Sequence, residues 1–309
     1  MKFNRRTIAP ILIIIAASLW GADGVIRAVL LKSHSASSIV FWEHCIGAIV
    51  LLPFLLKNLK QIKNLSLKDW LVVSLMSLVS SVLGGYLFTL AFAKSAAYFD
   101  YITPNLLQKI QPVFVVILAA AFLKEKISKK FLLVLPLALI GSYLISFDFK
   151  LVALQFSGKE EIFLLSLGAA IAWGSGTIMS KSVLKKLDYK TATALRFALA
   201  IPFSFIFVLI SGNGLSDLVT FSPFNFLMIF LIVFTTGAFS ILIYYKGLKN
   251  TQAKVSSILE LAYPIVAVLI GITVLNPFGA PQSLSIGNIA GILILIGSML
   301  YLAHNNEKV

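Results

Sequence analysis

The sequence predicts an all-α integral membrane protein with ten transmembrane helices, arranged as two inverted repeats of five helices each. Three observations predict this fold class. Of the 309 residues, 59% are hydrophobic and only 12% are charged, about half the charged fraction of a soluble domain. Apolar runs of about twenty residues, long enough to cross a bilayer as a helix, recur along the chain. Similar motifs also recur at a spacing of about 153 residues.

The first apolar run is expected to remain in the protein as a helix. It is too long for the core of a signal peptide, and no clear small-residue cleavage site follows it. Nine further runs follow, most of them separated by short polar loops. The ten predicted spans lie near residues 8–30, 37–56, 69–93, 100–123, 131–147, 161–180, 191–211, 224–245, 254–275 and 285–303.

The distribution of basic residues predicts the orientation in the membrane. The net charge is +14, and 19 of the 26 lysines and arginines fall on the side that carries the N-terminus. Five lie on the opposite side, and two, Lys109 and Arg196, lie inside spans. Basic loops face the cytoplasm, so both termini are expected there, in a multi-pass protein of the cell membrane. We interpret the basic excess as a topology signal with some attraction to anionic lipid, not as a nucleic-acid site.

Three pairs of similar segments indicate an internal duplication. LIIIAASLWG at 12–21 corresponds to LSLGAAIAWG at 165–174, and LQKIQPVFVVI at 107–117 corresponds to LELAYPIVAVL at 259–269. Ile-Gly-Ser occurs at 140–142 and again at 296–298. We therefore divide the chain into a first repeat at 1–147, an external connector at 148–160 and a second repeat at 161–309.

The number of spans in each repeat makes the two repeats inverted. With five spans each, the first repeat starts inside and the second starts outside. Inverted repeats with a substrate site at their interface are a common plan of secondary transporters. Duplication that serves folding alone is the alternative.

These features resemble the EamA-type branch of the drug/metabolite transporter superfamily over roughly residues 8–303. The resemblance includes the Trp-Gly pairs, the leucine-rich runs into Pro112 and Pro264, and Leu-Lys-Glu at 123–125. The second repeat departs from this pattern, because Asn276-Pro277 stands where Glu125 would recur. The resemblance implies export or exchange of small metabolites, such as amino acids, nucleotide-linked sugars, amines or drugs.

Lys109 is the most unusual residue of the fourth span. At 1.5 Å per residue it lies about 14 Å from the external face, near the bilayer centre. An amine that faced lipid there would cost about 3 kcal/mol or more, so it must face the bundle interior or a wet cavity. It is expected either to form an internal ion pair or to bind a negative group of the substrate. Gln108 and Gln111 stand beside it.

Carboxylates at two depths suggest a gating hypothesis. Glu43 lies about 9 Å from the outer face and Glu260 about 9 Å from the cytoplasmic face. We expect Lys109 to reach one of them in each access state. The repeat maps Glu43 onto Arg196 and Gln108 onto Glu260; Arg196 could instead extend its charged end to the cytoplasmic surface.

Other polar and aromatic residues within spans complete the predicted site. Substrate contacts are expected from Lys109, Gln108, Gln111, Trp20, Trp173, Glu43, Tyr263 and Asn105; coupling or gating is expected from Glu260, Glu43, Asp23, His44 and Arg196. The tryptophans could form aromatic walls or pack between repeats, and His44 could be a packing residue. Asp23 lies one turn beyond Trp20-Gly21, where a small residue lets helices approach.

The sequence therefore favours a secondary transporter of a small polar metabolite that works by alternating access. Charged groups of both signs would suit an amino acid or another zwitterion. We find no motif for catalysis, a cofactor or ATP, so we expect neither an enzyme nor a primary pump. A non-transporting interaction or sensory protein is the alternative, as is a carrier of nucleotide-linked sugars or organic cations. Gly287 and Gly291 form a weak signal for a homodimer through the last helix.

Overall fold

The chain is all-helical. The computed structural model describes residues 5–96, 107–151, 159–211, 214–276 and 280–305, and no strand occurs in these ranges. Nine of their segments are long and apolar enough to cross a membrane: Ile8–Leu30, Ala36–Lys57, Leu67–Lys94, Lys129–Phe147, Glu160–Val183, Tyr189–Ile210, Pro223–Leu248, Ala253–Gly271 and Ile286–His304. A multi-pass membrane protein is thereby confirmed. The fourth predicted span is described only in part, as a shorter apolar helix.

The helices before residue 148 form the first half of the bundle. They are α1 (Arg5–Gly21), α2 (Asp23–Leu30), α3 (Ala36–Lys57), α4 (Leu59–Lys63), α5 (Leu67–Met76), a π-helical segment (Ser77–Leu83), α6 (Gly84–Ala96), α7 (Gln111–Leu123) and α8 (Lys129–Phe147).

The helices after residue 159 form the second half. They are α9 (Glu160–Val183), α10 (Tyr189–Ile210), a 3₁₀ segment (Gly214–Thr220), α11 (Pro223–Phe234), α12 (Ala238–Leu248), α13 (Ala253–Leu259), α14 (Ala262–Gly271) and α15 (Ile286–Asn305).

Polar caps set where many of these helices begin. Ser35, Ser66, Ser128 and Ser222 each accept a hydrogen bond from a backbone N–H in the first turn that follows. Asp188 does the same for α10. These caps satisfy backbone donors that have no partner within the helix. The caps therefore divide one long apolar sequence into separate helices.

The strongest helix contacts join the two halves in matching pairs. Helix α1 packs on α12 and α14, and α9 packs on α6 and α7. Helix α3 packs on α10, and α8 packs on α15. Each of these pairs takes one helix from before residue 148 and one from after residue 159. Helices α1 and α12, and likewise α6 and α9, therefore lie at the boundary between the halves.

The outer surface of the bundle is apolar, as the fold class requires. Leu133, Leu164, Ile210 and Leu293 are all more than 60% exposed, although each lies in a segment long and apolar enough to span the membrane. In water such a surface would favour aggregation, whereas in a bilayer it faces lipid chains.

Several helices are interrupted near the middle of the bundle. Helix α1 ends at Gly21, helices α11 and α12 are separated by residues 235–237, and α13 and α14 are separated by residues 260–261. Pro112 lies in the first turn of α7 and Pro264 in the first turn of α14. Because proline donates no backbone hydrogen bond, each one sets a break in the preceding turn.

Gly287 and Gly291 do not form an outward face for a second copy. A Cβ at Gly291 would collide with the backbone carbonyl of Gly141, and one at Gly287 would collide with Asp148. Both glycines therefore allow α15 to approach α8 within the same chain. The small-residue motif that suggested a homodimer is used for intramolecular packing.

Asp217 connects the loop between α2 and α3 to the second half through hydrogen bonds. Its Oδ2 accepts hydrogen bonds from the Ser35 hydroxyl at 2.6 Å and from the Ser35 backbone N–H at 2.8 Å. Its Oδ1 lies 2.9 Å from Nδ1 of His34. Burial raises the pKa of the Asp217 carboxyl, but these hydrogen bonds outweigh burial and hold the pKa at about 2.

We predict that Asp217→Ala lowers the free energy of unfolding by about 1–3 kcal/mol, because it leaves buried donors without an acceptor. Thermal unfolding in detergent measures this loss.

Since the folded pKa lies below the unfolded value of about 3.9, Asp217 stabilises the fold fully above about pH 4 and progressively less as the pH falls towards 2. Asp217→Ala should lose that acid dependence, and a midpoint equal to that of the parent protein would contradict the assignment.

Candidate functional site: a polar cavity between the two halves

A cavity of about 250 Å³ lies inside the bundle, where the helices are interrupted. It is lined by Trp20, Glu43 and Gln111 from the first half and by Trp173 and Glu260 from the second. Most of its wall area is apolar, as is typical of small-molecule sites, although more than half of the lining residues are polar or charged. The predicted location of a site between the halves therefore corresponds to an observed cavity.

Two aromatic pairs contribute to the wall, and each pair joins the two halves. The rings of Trp20 and Tyr244 lie 5.2 Å apart, and those of Phe88 and Trp173 lie 5.3 Å apart. The Trp20 indole N–H donates to the Ser240 hydroxyl at 2.7 Å, which fixes that ring. The two rings of each pair are in tilted contact with each other, and a ring face that remains turned to the cavity can stack on an aromatic ligand.

Arg27 connects two carboxylates at one end of the cavity. Its guanidinium lies 2.5 Å from Asp23 Oδ2 and 3.1 Å from Glu43 Oε2. The Thr236 hydroxyl donates to Asp23 Oδ1 at 2.6 Å. We name these four residues the Arg27 cluster. It joins α2, α3 and the break between α11 and α12, and its carboxylates outnumber its cation by one.

Glu260 is the centre of a second cluster, at the break between α13 and α14. Its Oε2 accepts a hydrogen bond from the Gln111 amide at 2.9 Å. Its Oε1 accepts from the Tyr244 hydroxyl at 2.6 Å and from the Ser256 hydroxyl at 3.0 Å. These four residues are the Glu260 cluster. They connect α7 of the first half with α12 and α13 of the second.

Arg196 also lines the cavity, and hydroxyl groups surround it. Its Nε donates to Ser81 Oγ at 2.5 Å, its Nη1 to Tyr245 OH at 2.8 Å and its Nη2 to Ser80 Oγ at 3.1 Å. The side chain is buried within the bundle, so it does not extend to the cytoplasmic surface as the alternative interpretation held. Its role in gating stays a prediction.

Lys109 is not among the cavity-lining residues, which corrects the predicted placement. Its ammonium donates to the Ser146 hydroxyl, and it lies 5.7 Å from the centre of the Phe147 ring. Both partners are on α8. Neither predicted pair with Glu43 or Glu260 forms here, because Glu43 bonds Arg27 and Glu260 bonds Gln111. The side chain is buried within the bundle and reaches α8 rather than either carboxylate.

Two predicted contact residues carry polar atoms that remain unsatisfied. Gln108 and Tyr263 both line the cavity. Gln108 Oε1 and the Tyr263 hydroxyl are buried and have no hydrogen-bond partner among the described residues. Buried polar atoms of this kind are rare in native proteins. They are candidates for contacts with a bound ligand.

His44 lines the cavity, but its ring is already engaged. Its Nδ1 lies 2.7 Å from the backbone carbonyl of Val40, and the ring packs against Phe197 at 5.0 Å. This geometry matches the packing alternative and leaves a coupling role as a prediction. Asn105, the remaining predicted contact residue, lies outside the described residues.

Sequence reasoning missed several residues that line the cavity. Arg27 lies near a span end, where a long basic side chain can reach the surface, although Asp23 one turn earlier on the same helix was a signal for an ion pair. Tyr244 and Phe88 had no distinguishing pattern, because aromatic residues are common throughout the spans. Ser80 and Ser81 become noticeable only once the π-helical segment is seen.

Known proteins resemble this chain over most of its length. The model of the EamA-like transporter family matches residues 7–147 and again residues 161–303. The riboflavin transporter ImpX of Fusobacterium nucleatum is 34% identical over 278 residues, which cover 86% of this chain and 91% of that protein. The uncharacterized transporter YwfM of Bacillus subtilis is 24% identical over 286 residues, or 92% and 90% of the two chains.

A solved crystal structure supports the fold independently. It shares 14% identity, covers 96% of this chain and 98% of its own, and has a TM-score of 0.72. At that identity the likeness shows the fold alone. The family match and the 34% identical relative carry the assignment: this chain belongs to the EamA-like transporter family.

Proposed function

We propose that this protein is a secondary transporter whose two halves are inverted repeats that alternate access to the cavity. The matching helix contacts support the proposal: α1 packs on α12 as α9 packs on α6, and α1 packs on α14 as α9 packs on α7. Exchanging the halves maps each pair onto the other. A rocking motion between two equivalent arrangements could therefore open the cavity to either side in turn.

Riboflavin, or a closely related flavin, is the substrate we propose. The observation that carries this choice is the pair of aromatic walls, Trp20 with Tyr244 and Phe88 with Trp173. They suit a flat heteroaromatic ring, and a relative 34% identical over most of both chains is named a riboflavin transporter. Gln108 and Tyr263 supply unsatisfied polar atoms for the polar edge of such a ligand.

An amino acid or another zwitterion is the second hypothesis. Charged groups of both signs line the cavity, which favours it. Glu43, the carboxylate expected to contact such a substrate, is however already paired with the Arg27 guanidinium, which also bonds Asp23. The same transport assay compares the two substrate classes.

The Arg27 cluster and the Glu260 cluster are the gates we propose, without a direct role for Lys109. The hydrogen bond from Gln111 to Glu260 joins α7 to the break between α13 and α14. The bond from Thr236 to Asp23 joins the break between α11 and α12 to α2. Each bond connects the first half to the second, so movement of one half must break or exchange it. Opening one cluster while the other stays closed would alternate access.

Transport of riboflavin is tested in vesicles. Purified protein is reconstituted into liposomes loaded with unlabelled riboflavin, and entry of labelled riboflavin is measured by counterflow. We expect saturable exchange that unlabelled riboflavin inhibits and amino acids do not. Exchange of amino acids without exchange of riboflavin would contradict the flavin substrate and support an amino acid or another zwitterion. Absence of exchange for any metabolite of a mixed extract, across several pH gradients, would contradict a transporter.

We predict that Trp20→Ala and Trp173→Ala each raise the KM for riboflavin about twofold to tenfold, because an aromatic contact contributes about 0.5–1.5 kcal/mol. Trp70→Ala is the matched control, since Trp70 is not among the cavity-lining residues. An unchanged KM in both cavity variants, or an equal rise of the KM in the control, would contradict a role of the aromatic walls in riboflavin binding.

Glu260 and Lys109 distinguish the proposed gate from the earlier hypothesis. We predict that Glu260→Gln lowers the transport rate at least about tenfold, because an amide nitrogen cannot accept the hydrogen bonds that one of the two carboxyl oxygens accepts. Lys109→Met should keep the KM within about twofold and should not lower stability, since it replaces a buried cation by an apolar chain of similar length. Transport that is lost with Lys109→Met but kept with Glu260→Gln would restore Lys109 as the central residue.

The proposed orientation places both termini in the cytoplasm. A Cys45→Ala background removes the one native cysteine, and single cysteines are introduced as Lys308→Cys and Lys32→Cys. A membrane-impermeant thiol reagent applied to intact cells should label the cysteine at 32 and should reach that at 308 only after permeabilisation. The reverse pattern would invert the proposed topology.

A further inference from the structure

The guanidinium of Arg196 is a buried cation that has no counterion among the described residues. Its side chain is 8% exposed, and no Asp or Glu of the described chain lies within 4.0 Å of it. Its three hydrogen-bond acceptors are neutral hydroxyl oxygens of Ser80, Ser81 and Tyr245. An unpaired charge in the interior of a membrane protein is costly and is by default a functional group.

The group retains unused donors. A guanidinium carries five N–H groups, and three are used here, so two remain. The hydroxyl hydrogens of Ser80 and Ser81 have no recorded acceptor among the described residues, although both oxygens accept from Arg196. The Arg196 subsite, which we define as Arg196, Ser80 and Ser81, therefore combines a positive charge with four unused donors.

The local backbone conformation places the Ser80 and Ser81 hydroxyls beside the Arg196 guanidinium. Ser80 and Ser81 are consecutive and lie in the π-helical segment Ser77–Leu83. In an α-helix consecutive side chains point about 100° apart, yet here both hydroxyls reach one guanidinium. Short π-helical segments are rare and frequently mark functional sites. Gly176 of α9 makes room for this segment, because a Cβ there would overlap the Ser80 side chain.

The subsite faces the same cavity as the aromatic walls. Arg196, Ser80 and Ser81 all line it, together with Trp20 and Trp173. A ligand stacked on an aromatic wall could therefore reach the subsite with a second part of its structure. A neutral ligand would leave the buried charge without compensation, whereas an anionic oxygen would form charge-assisted hydrogen bonds with it.

We propose that the Arg196 subsite binds an anionic oxygen group of the transported ligand, and that a flavin bearing a phosphate ester is preferred to riboflavin. The second part rests on the proposed flavin substrate. A phosphate supplies several acceptor oxygens and a negative charge, which match the unused donors and the unpaired cation. Flavin mononucleotide joins this group to the ring system that the aromatic walls suit.

The first experiment measures inhibition of riboflavin counterflow by flavin mononucleotide, by riboflavin and by inorganic phosphate. Flavin mononucleotide is expected to inhibit at a concentration about tenfold or more below that of riboflavin, while phosphate alone inhibits weakly. Arg196→Gln should remove this preference, and Arg196→Lys should retain part of it. Riboflavin exchange that flavin mononucleotide inhibits no better than riboflavin would overturn the preference while leaving the proposed function intact.

A second variant keeps the test valid if Arg196→Gln fails to fold. The double substitution Ser80→Ala and Ser81→Ala retains the cation and removes two hydroxyls, and it should reduce the preference for flavin mononucleotide by about threefold or more. Ser182→Ala is the matched control, since Ser182 is not among the cavity-lining residues. A preference equal to that of the parent protein in the double variant would contradict the roles of both serines.

The third measurement separates the subsite from the flavin assignment. Thermal stability of the detergent-solubilised protein is compared in inorganic phosphate, in acetate and in chloride at equal ionic strength. Stabilisation by phosphate or acetate that Arg196→Lys weakens supports an anion subsite even if no flavin is transported. Equal stability in all three salts, together with equal inhibition by the two flavins, would overturn the subsite altogether.

Discussion

The cost of polar groups in hydrocarbon is the constraint on which this structure depends. A backbone or side-chain group that finds no partner inside the protein finds none in lipid either. Irregular backbone within the membrane is therefore expected where other protein groups or the water in a cavity can hydrogen-bond to it. The π-helical segment Ser77–Leu83, the break at residues 235–237 and the break at residues 260–261 all contribute side chains to one cavity. The outer faces of the same helices carry leucine and isoleucine.

The same constraint explains why the polar clusters join the two halves. Gln111 of the first half donates to Glu260 of the second, and Thr236 of the second donates to Asp23 of the first. The serines that accept from Arg196 belong to the first half, while Arg196 belongs to the second. Each half thus supplies partners that the other half needs. The halves cannot move against each other without exchanging these bonds for water or for substrate.

Much of the fold was predictable because lipid imposes one simple rule on sequence. Apolar length alone predicted nine of the described spans to within a few residues. The site was predictable in part for the same reason, since a charged residue within a span must face inward. Glu43, Glu260, Asp23 and Arg196 all line the cavity. Trp20 and Trp173 were located through their position in the repeated segments.

The remaining features of the site could not be predicted, because they depend on the direction in which each side chain points. Depth along a helix follows from residue number, but the side to which a residue points depends on every turn before it. Lys109 lies in the turn two residues before α7 begins, close to Pro112, where the regular 100° per residue does not apply, so the helical pattern did not predict its partners. Arg27 lies near a span end, and its position in the sequence does not show that it turns inward. Its carboxylate partner Glu43 is sixteen residues away, on the next helix.

Lys109 and Arg196 show how the surroundings of a buried cation decide its role. The Lys109 ammonium has one hydroxyl partner and an aromatic ring, both on α8, a helix that packs mainly on α15. It therefore connects the segment before α7 to a neighbouring helix of the same half, and both of its described partners belong to that half. Arg196 instead lies in the cavity wall and contacts serines of the opposite half. The contacts of the lysine thus stay within one half, whereas those of the arginine link the two halves at the cavity.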